Sequence, residues 1–240
     1  MSDPETCGTV SAVALGLPST TAVPHPRGRL PKEGFYRNTA VPVRLRRRFI
    51  DDIDQIVMLA VIRPQEIRIP AGERTKEIDV IGLLQTGENP PVEVMEHIAR
   101  MRDEQTGHAA RILFACVRDR EYRLAVYRNA NMRAGITEGK IHVSEPRGVI
   151  GGGKGLVLDG GDLDEMWDCL CAQVILNSEN GMDLDRRVAD RTRIMRLNED
   201  IAKLEKQHAK AKQIGQRNRL WNELQDKRKE LKTINQGAIQ

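Results

Sequence analysis

The hydrophobic pattern is most regular from Lys76 to Leu84. Ile78, Val80, Gly82 and Leu84 fall on one side at period two, and Glu77, Asp79 and Ile81 fall on the other. Such alternation predicts a strand with one apolar face and one wetter face bearing two carboxylates. Upstream, Leu45, Phe49, Ile53, Ile56 and Val57 recur at helical spacing, which predicts a helix over 43–59. A short strand is predicted over 66–69, joined to the first by Pro70-Ala-Gly-Glu-Arg-Thr75, a run with the composition of a hairpin connection.

Further on, Asn89-Pro-Pro91 opens a predicted helix to about Met101, with Val94, Ile98 and Met101 as its apolar stripe. Arg111 to Val117 is a continuous apolar run suited to a strand buried on both faces. A polar turn at 118–121 leads to a strand over 122–127, and a short strand follows at 140–143. Asp162 is a cap for a helix to about Asn177. The middle of the chain therefore predicts an α+β domain at 31–181, a mixed or antiparallel sheet of two hairpins packed with helices. Residues 1–30, rich in Ser, Thr, Pro and Gly, are expected to be flexible or draped on the surface. Asp3 and Glu5 precede the apolar patch at 9–17, so it reads as neither a signal peptide nor a membrane span.

Residues 182–240 predict an arm. Val188, Ile194, Leu197, Ile201 and Leu204 make a narrow stripe that fades near Gly215 and resumes with Leu220, Leu224, Leu231 and Ile234. A helical hairpin turning at Gly215 fits this pattern, and one long coiled-coil helix is the competing form. Charge sharpens the division. From Arg186 to Lys232 there are 15 Lys and Arg against 7 Asp and Glu, so the rest of the chain is net acidic although the whole carries +4. A basic arm on an acidic body points to an acidic partner, nucleic acid or protein. Aromatic residues are only 3% of the chain, which argues against extensive base stacking. Cys7, Cys116, Cys169 and Cys171 lack the spacing of a disulfide framework or a zinc knuckle, and imply reduced thiols in a cytoplasmic protein.

Three constellations could carry chemistry. Gly148-Val-Ile-Gly-Gly-Gly-Lys154-Gly155 has the spacing of a phosphate-binding loop, but Gly155 stands where a hydroxyl residue is needed and Leu156-Val-Leu158 reads as strand. Glu77 and Asp79, with Glu66 on the preceding strand, could hold a catalytic metal as in a restriction-endonuclease-like nuclease; no lysine completes the set. In the arm, Arg193, Arg196, Lys210, Lys212, Arg217 and Arg219 could follow a phosphate backbone. Leu197, Ile201, Leu204, Leu220, Trp221 and Leu224 could dock a partner protein or a second copy of the chain. No cofactor or metal is predicted, and the balance is against catalysis.

Pro31-Lys-Glu-Gly-Phe-Tyr36, Lys76-Glu-Ile-Asp-Val80, Arg111-Ile-Leu-Phe-Ala115, Leu163-Asp-Glu-Met-Trp167 and the tail motifs Leu204-Glu-Lys206, Ala211-Lys-Gln213 and Arg217-Asn-Arg-Leu220 occur in order. Together they resemble a bacterial family of unknown function, numbered 4391, over about residues 30–235. The likeness leaves out the Gly148 loop and the residues before Pro31, and carries over no catalytic residue. It implies an accessory subunit encoded beside Swi/Snf-type helicases and DNA methyltransferases of restriction–modification type, in an anti-phage or DNA-modifying system. The expected function is thus a non-catalytic subunit that docks a helicase or methyltransferase through its C-terminal helices, with DNA contact.

Overall fold

A computed structural model of the chain describes residues 10–24, 27–37, 41–106, 111–128, 139–148 and 155–237. The chain divides into two compact units, one up to Met182 and one from Asp183 onward. Within the first, seven strands form one mixed sheet: β1 (Arg29–Leu30), β2 (Ile53–Ile62), β3 (Ile78–Gln85), β4 (Ile112–Arg118), β5 (Glu121–Arg128), β6 (Lys140–Val143) and β7 (Arg147–Gly148). The order is β1-β2-β3-β4-β5-β6, with β7 also on β5. Only β3 and β4 run parallel among these pairs, joined by a crossover through α3 (Val92–Thr106). The other helices of this unit are α1 (Val43–Asp51), the single turn α2 (Pro64–Ile67) and α4 (Leu163–Ile175).

The predicted helix over 43–59 is half wrong. Helix α1 stops at Asp51, and Ile53 to Ile62 is the longest strand of the sheet. Register shifts between Ile53 and Gln55 and between Met58 and Ala60 explain the misreading. Each irregularity inserts a residue, so the buried positions fall at Ile53, Ile56, Val57, Leu59, Ala60 and Ile62, a spacing that imitates a helix. The strand predicted at 66–69 is also corrected: Glu66 lies in α2, which ends where Arg68 turns into the left-handed region at φ 58°. Lys76 and Glu77 precede β3 instead of belonging to it.

Strand β3 has no wet face. Ile81 and Leu83 sit in a core with Phe49 of α1, Val94, Met95 and Ile98 of α3, and Phe114 of β4. Ile78 and Val80, on the opposite side, are equally inaccessible. Asp168 of α4 bonds Arg128, whose strand neighbour Val126 pairs with Leu113, so α4 covers this second face and the sheet is the middle of three layers. Helix α4 starts at its expected cap, the Asp162 carboxylate accepting the N–H groups of Asp164 and Glu165.

From Val10 to Leu17 the described part of the N-terminal segment packs into the body. Val10, Ala12, Leu15 and Leu17 are each at most 3% exposed. At Gly16, φ is +86°, and a Cβ there would lie 2.9 Å from the Gly155 Cα and the Leu156 N. The Leu156 N–H donates to the Leu15 carbonyl at 2.7 Å. Leu156-Val-Leu158, expected as strand, is instead irregular chain fastened to this segment and to the Gln173 side chain. Gly16→Ala is expected to destabilise the body by about 2 kcal/mol in a urea melt, because the clash is with backbone and the φ disfavours any side chain. Gly34→Ala, where nothing lies within 4 Å, is the control and should stay within about 0.5 kcal/mol.

The second unit is a helical hairpin, α5 (Leu184–Lys210) and α6 (Ile214–Gly237). The chain reverses over Ala211–Gln213, and Gly215 lies inside the first turn of α6, not at the bend. Leu197, Leu204 and Leu224 are buried along its seam. Arg193 to Glu230 at 2.6 Å, Arg228 to Glu205 at 2.8 Å and Lys227 to Asp200 at 3.5 Å tie the two helices across it.

Candidate functional site: an arginine-clamped acidic pair and a basic hairpin tip

Asp79 is the second residue of β3, 4% exposed, its backbone N–H bonded to the Arg111 carbonyl at 2.8 Å. The stripe that fixes α3 to the sheet, Met95 and Ile98, continues one turn later to Arg102. Arg102 therefore reaches down onto Asp79, with Nη2 at 2.6 Å and Nε at 3.2 Å from Oδ2. Its Nη2 is also 3.5 Å from Glu77 Oε1, while Glu77 Oε2 accepts from Arg63 Nε at 2.9 Å. Burial holds the Asp79 carboxyl above its ordinary range, with the charge of Arg102 pulling the other way. The hydrogen bond to Glu77 raises the Arg63 guanidinium further, aided by the charges of Glu66 and Asp79.

Of the three acids singled out in the sequence, Glu77 and Asp79 share Arg102, and Glu66, on α2, adds its charge beside Arg63. Among the described residues, no group of three His, Cys, Asp or Glu side chains is arranged to hold a metal. The two carboxylates are engaged by guanidinium groups that knit β2, β3 and α3, and a cation entering here would displace Arg102. The partners Arg63 and Arg102 escaped the sequence reading. Helical spacing from Ile98 was the available signal for Arg102.

A second polar cluster lies on the α4 face. Arg111 Nε donates to the Thr75 hydroxyl at 3.2 Å, and its guanidinium carbon is 5.9 Å from the centroid of the Trp167 ring. Burial lowers the Arg111 guanidinium from its ordinary value, with Arg128 and Arg74 adding repulsion. Arg128 donates to Asp168 at 2.7 Å. Burial pushes the Cys171 thiol up to about 12 despite the neighbouring Arg128, so it stays protonated and unreactive. These groups knit the sheet to α4. Three of the four arginines of α1 are likewise answered within the body: Arg44 meets Glu93 at 2.7 Å, Arg48 meets Asp52 at 2.6 Å, and Arg46 lies 5.5 Å from the centroid of the Tyr36 ring.

In the arm, Arg193 is bound to Glu230. Arg196, Lys210, Lys212, Arg217 and Arg219 are exposed and, among the described residues, have no ion-pair partner, and the same holds for Lys203 and Lys206. Six of these bases fall between Lys203 and Arg219, around the bend, where the only carboxylate, Glu205, is held by Arg228. Leu197, Leu204 and Leu224 are buried in the hairpin, Ile201 and Leu220 are half-buried, and Trp221 remains 47% exposed with its ring 5.7 Å from that of His208. The loop residues 149–154, with Lys154, lie outside the described residues.

The model of a family described as "Domain of unknown function (DUF4391)" matches residues 15–231. The match starts earlier than the likeness read from the motifs, and its first residue, Leu15, belongs to the buried N-terminal segment. It also spans the Gly148 loop. Comparison with curated proteins and with solved structures found no match.

Proposed function

We propose, from the premise that the chain belongs to the DUF4391 family, that it is a non-catalytic subunit of a cytoplasmic DNA-processing or defence assembly. The hairpin arm lies against nucleic acid with its basic bend. The observation that carries this reading is the set of six exposed, unpaired bases from Lys203 to Arg219. Surface cations of this density normally alternate with acids, and an unbalanced set matches a phosphate backbone. The hairpin spends Leu197, Leu204 and Leu224 on itself, so docking of a helicase or methyltransferase falls to the exposed Trp221 and Ile214. The metal-dependent nuclease alternative is less well supported, because both of its principal carboxylates are clamped by arginine.

The test is the salt dependence of binding to labelled duplex DNA, followed by fluorescence anisotropy. Replacing Lys203, Lys206, Lys210, Lys212, Arg217 and Arg219 by glutamine should flatten the slope of log K against log salt by about 5 and weaken low-salt binding at least about 100-fold. Helicity should be retained. A slope that is the same in both proteins, or the absence of binding by the parent, would remove the proposed DNA contact.

A further inference from the structure

At the carboxyl ends of β3 and β4 the body carries an open cleft of about 470 Å³. Ligands of α/β proteins collect at the carboxyl ends of parallel strands, where the chain leaves the sheet and backbone and side chains converge. The cleft is lined by Gln85 from the end of β3, Cys116 and Arg118 from β4, and Arg123 from β5. Leu83 and Cys116 are register partners, as are Cys116 and Arg123, so these side chains share one face of the sheet.

Two groups in its wall lack partners. Gln85 is 8% exposed; its Nε2 donates to the Gly87 carbonyl at 3.2 Å, and its Oε1 has no donor. The Arg123 side chain is half-buried and, among the described residues, has no ion-pair or hydrogen-bond partner. Leaving a buried amide oxygen unpaired is costly, and a partly desolvated guanidinium without an acceptor adds to that cost. The exposed Arg120 likewise has no partner among the described residues, and Arg118 is only loosely held, its Nε 3.6 Å from Asp119. Three acids also line the cleft, Glu88, Asp119 and Glu121, all of them exposed, whereas Arg118 and Arg123 are half-buried.

We infer that this cleft binds a small phosphomonoester on a hydroxyl- or amine-bearing carrier, a sugar phosphate or a nucleoside monophosphate. The phosphate takes the guanidinium of Arg123, with Arg118 and Arg120 closing over it; planar N–H forks suit phosphate oxygens. A hydroxyl or amino hydrogen of the carrier satisfies Gln85 Oε1. The cleft volume lies in the range of about 300–1,000 Å³ usual for such ligands. This site is independent of the arm and does not rest on the DNA reading.

The experiment titrates the full chain with ribose 5-phosphate, AMP, adenosine and inorganic phosphate, observing the Gln85 side-chain amide by NMR and affinity by calorimetry. One or both phosphorylated carriers should shift that amide and bind more tightly than phosphate or adenosine alone. Preference for AMP assigns a nucleotide, and equal binding of the two assigns a sugar phosphate. Arg123→Gln should weaken binding by at least about tenfold, with Arg118→Gln as the second variant if the first unfolds. The glutamine-substituted hairpin described above should bind the carriers as the parent does. The inference is overturned if neither carrier moves the Gln85 amide, if phosphate alone binds as well, or if affinity is lost with the hairpin bases and kept in Arg123→Gln.

Discussion

Arg102→Leu is expected to cost the body about 3 kcal/mol at neutral pH in a urea melt. The substitution leaves Asp79 buried on β3 without the guanidinium that touches it at 2.6 Å. Removing one partner of a buried pair is expensive because the other charge stays behind without water. The cost carries a pH signature with a definite sign. Burial already holds the Asp79 carboxyl above its ordinary value, and loss of Arg102 raises it further. The folded protein then keeps its proton to higher pH than the unfolded chain does. Its contribution to stability is therefore present below the unfolded value, near about 4, and is lost as pH rises through the folded one. The gap between variant and parent should be small at pH 4 and full at pH 8. Asp79→Asn in the Arg102→Leu background should recover most of the neutral-pH loss, since a neutral amide has no charge to strand. An equal deficit at both pH values would mean that Arg102 acts by packing alone.

Phe49→Ala should cost about 4 kcal/mol, the upper part of the range for a large side chain removed from a closed core. Phe49 is fully buried, its ring 6.0 Å from Phe35, 5.6 Å from Tyr36 and 5.8 Å in edge contact with His97. Each such contact adds about 0.5–1.5 kcal/mol to the area it covers. The effect on α1 is compounded. Nine residues rich in arginine, preceded by Pro42 with no side-chain cap, form a helix only because Leu45 and Phe49 dock. The denaturant midpoint should fall with an unchanged slope, and far-UV dichroism of the folded baseline should lose about one helix turn as α1 frays. A loss below about 1 kcal/mol would place the aromatic group outside the cooperative core.

Much of the fold can be read from the chain because most of its elements keep one period throughout. Ile112 to Val117, Tyr122 to Tyr127, Lys140 to Val143 and the helix capped by Asp162 follow simple patterns, and the structure has them nearly at their predicted limits. The α+β class and the hairpin arm are legible for the same reason. Strand β2 was not, because its two irregularities break the alternation that identifies a strand. The wet face assigned to β3 failed on a different point. Alternation told which residues share a side, but only the docking of α1 and α3 decides whether that side meets water. The same limit applies to Asp79, whose place in the sequence suggested a ligand and whose place in the fold gives it an arginine. The bend of the arm moved by a few residues, since Gly215 marks a weak helix former and not the reversal itself.

In the central sheet, neighbours in space from β1 to β6 are also neighbours in the sequence. As the polypeptide leaves the ribosome, each strand from β2 to β6 finds its pairing edge already exposed by the one made just before it, so early assembly is local. The contact of Gly16 with Gly155 instead joins distant parts of the chain, as does the Leu163 N–H on the Pro70 carbonyl. Closure of the first must wait for some 140 intervening residues to be synthesised, so the segment around Gly16, although made earlier, is among the last pieces of the body to lock into place.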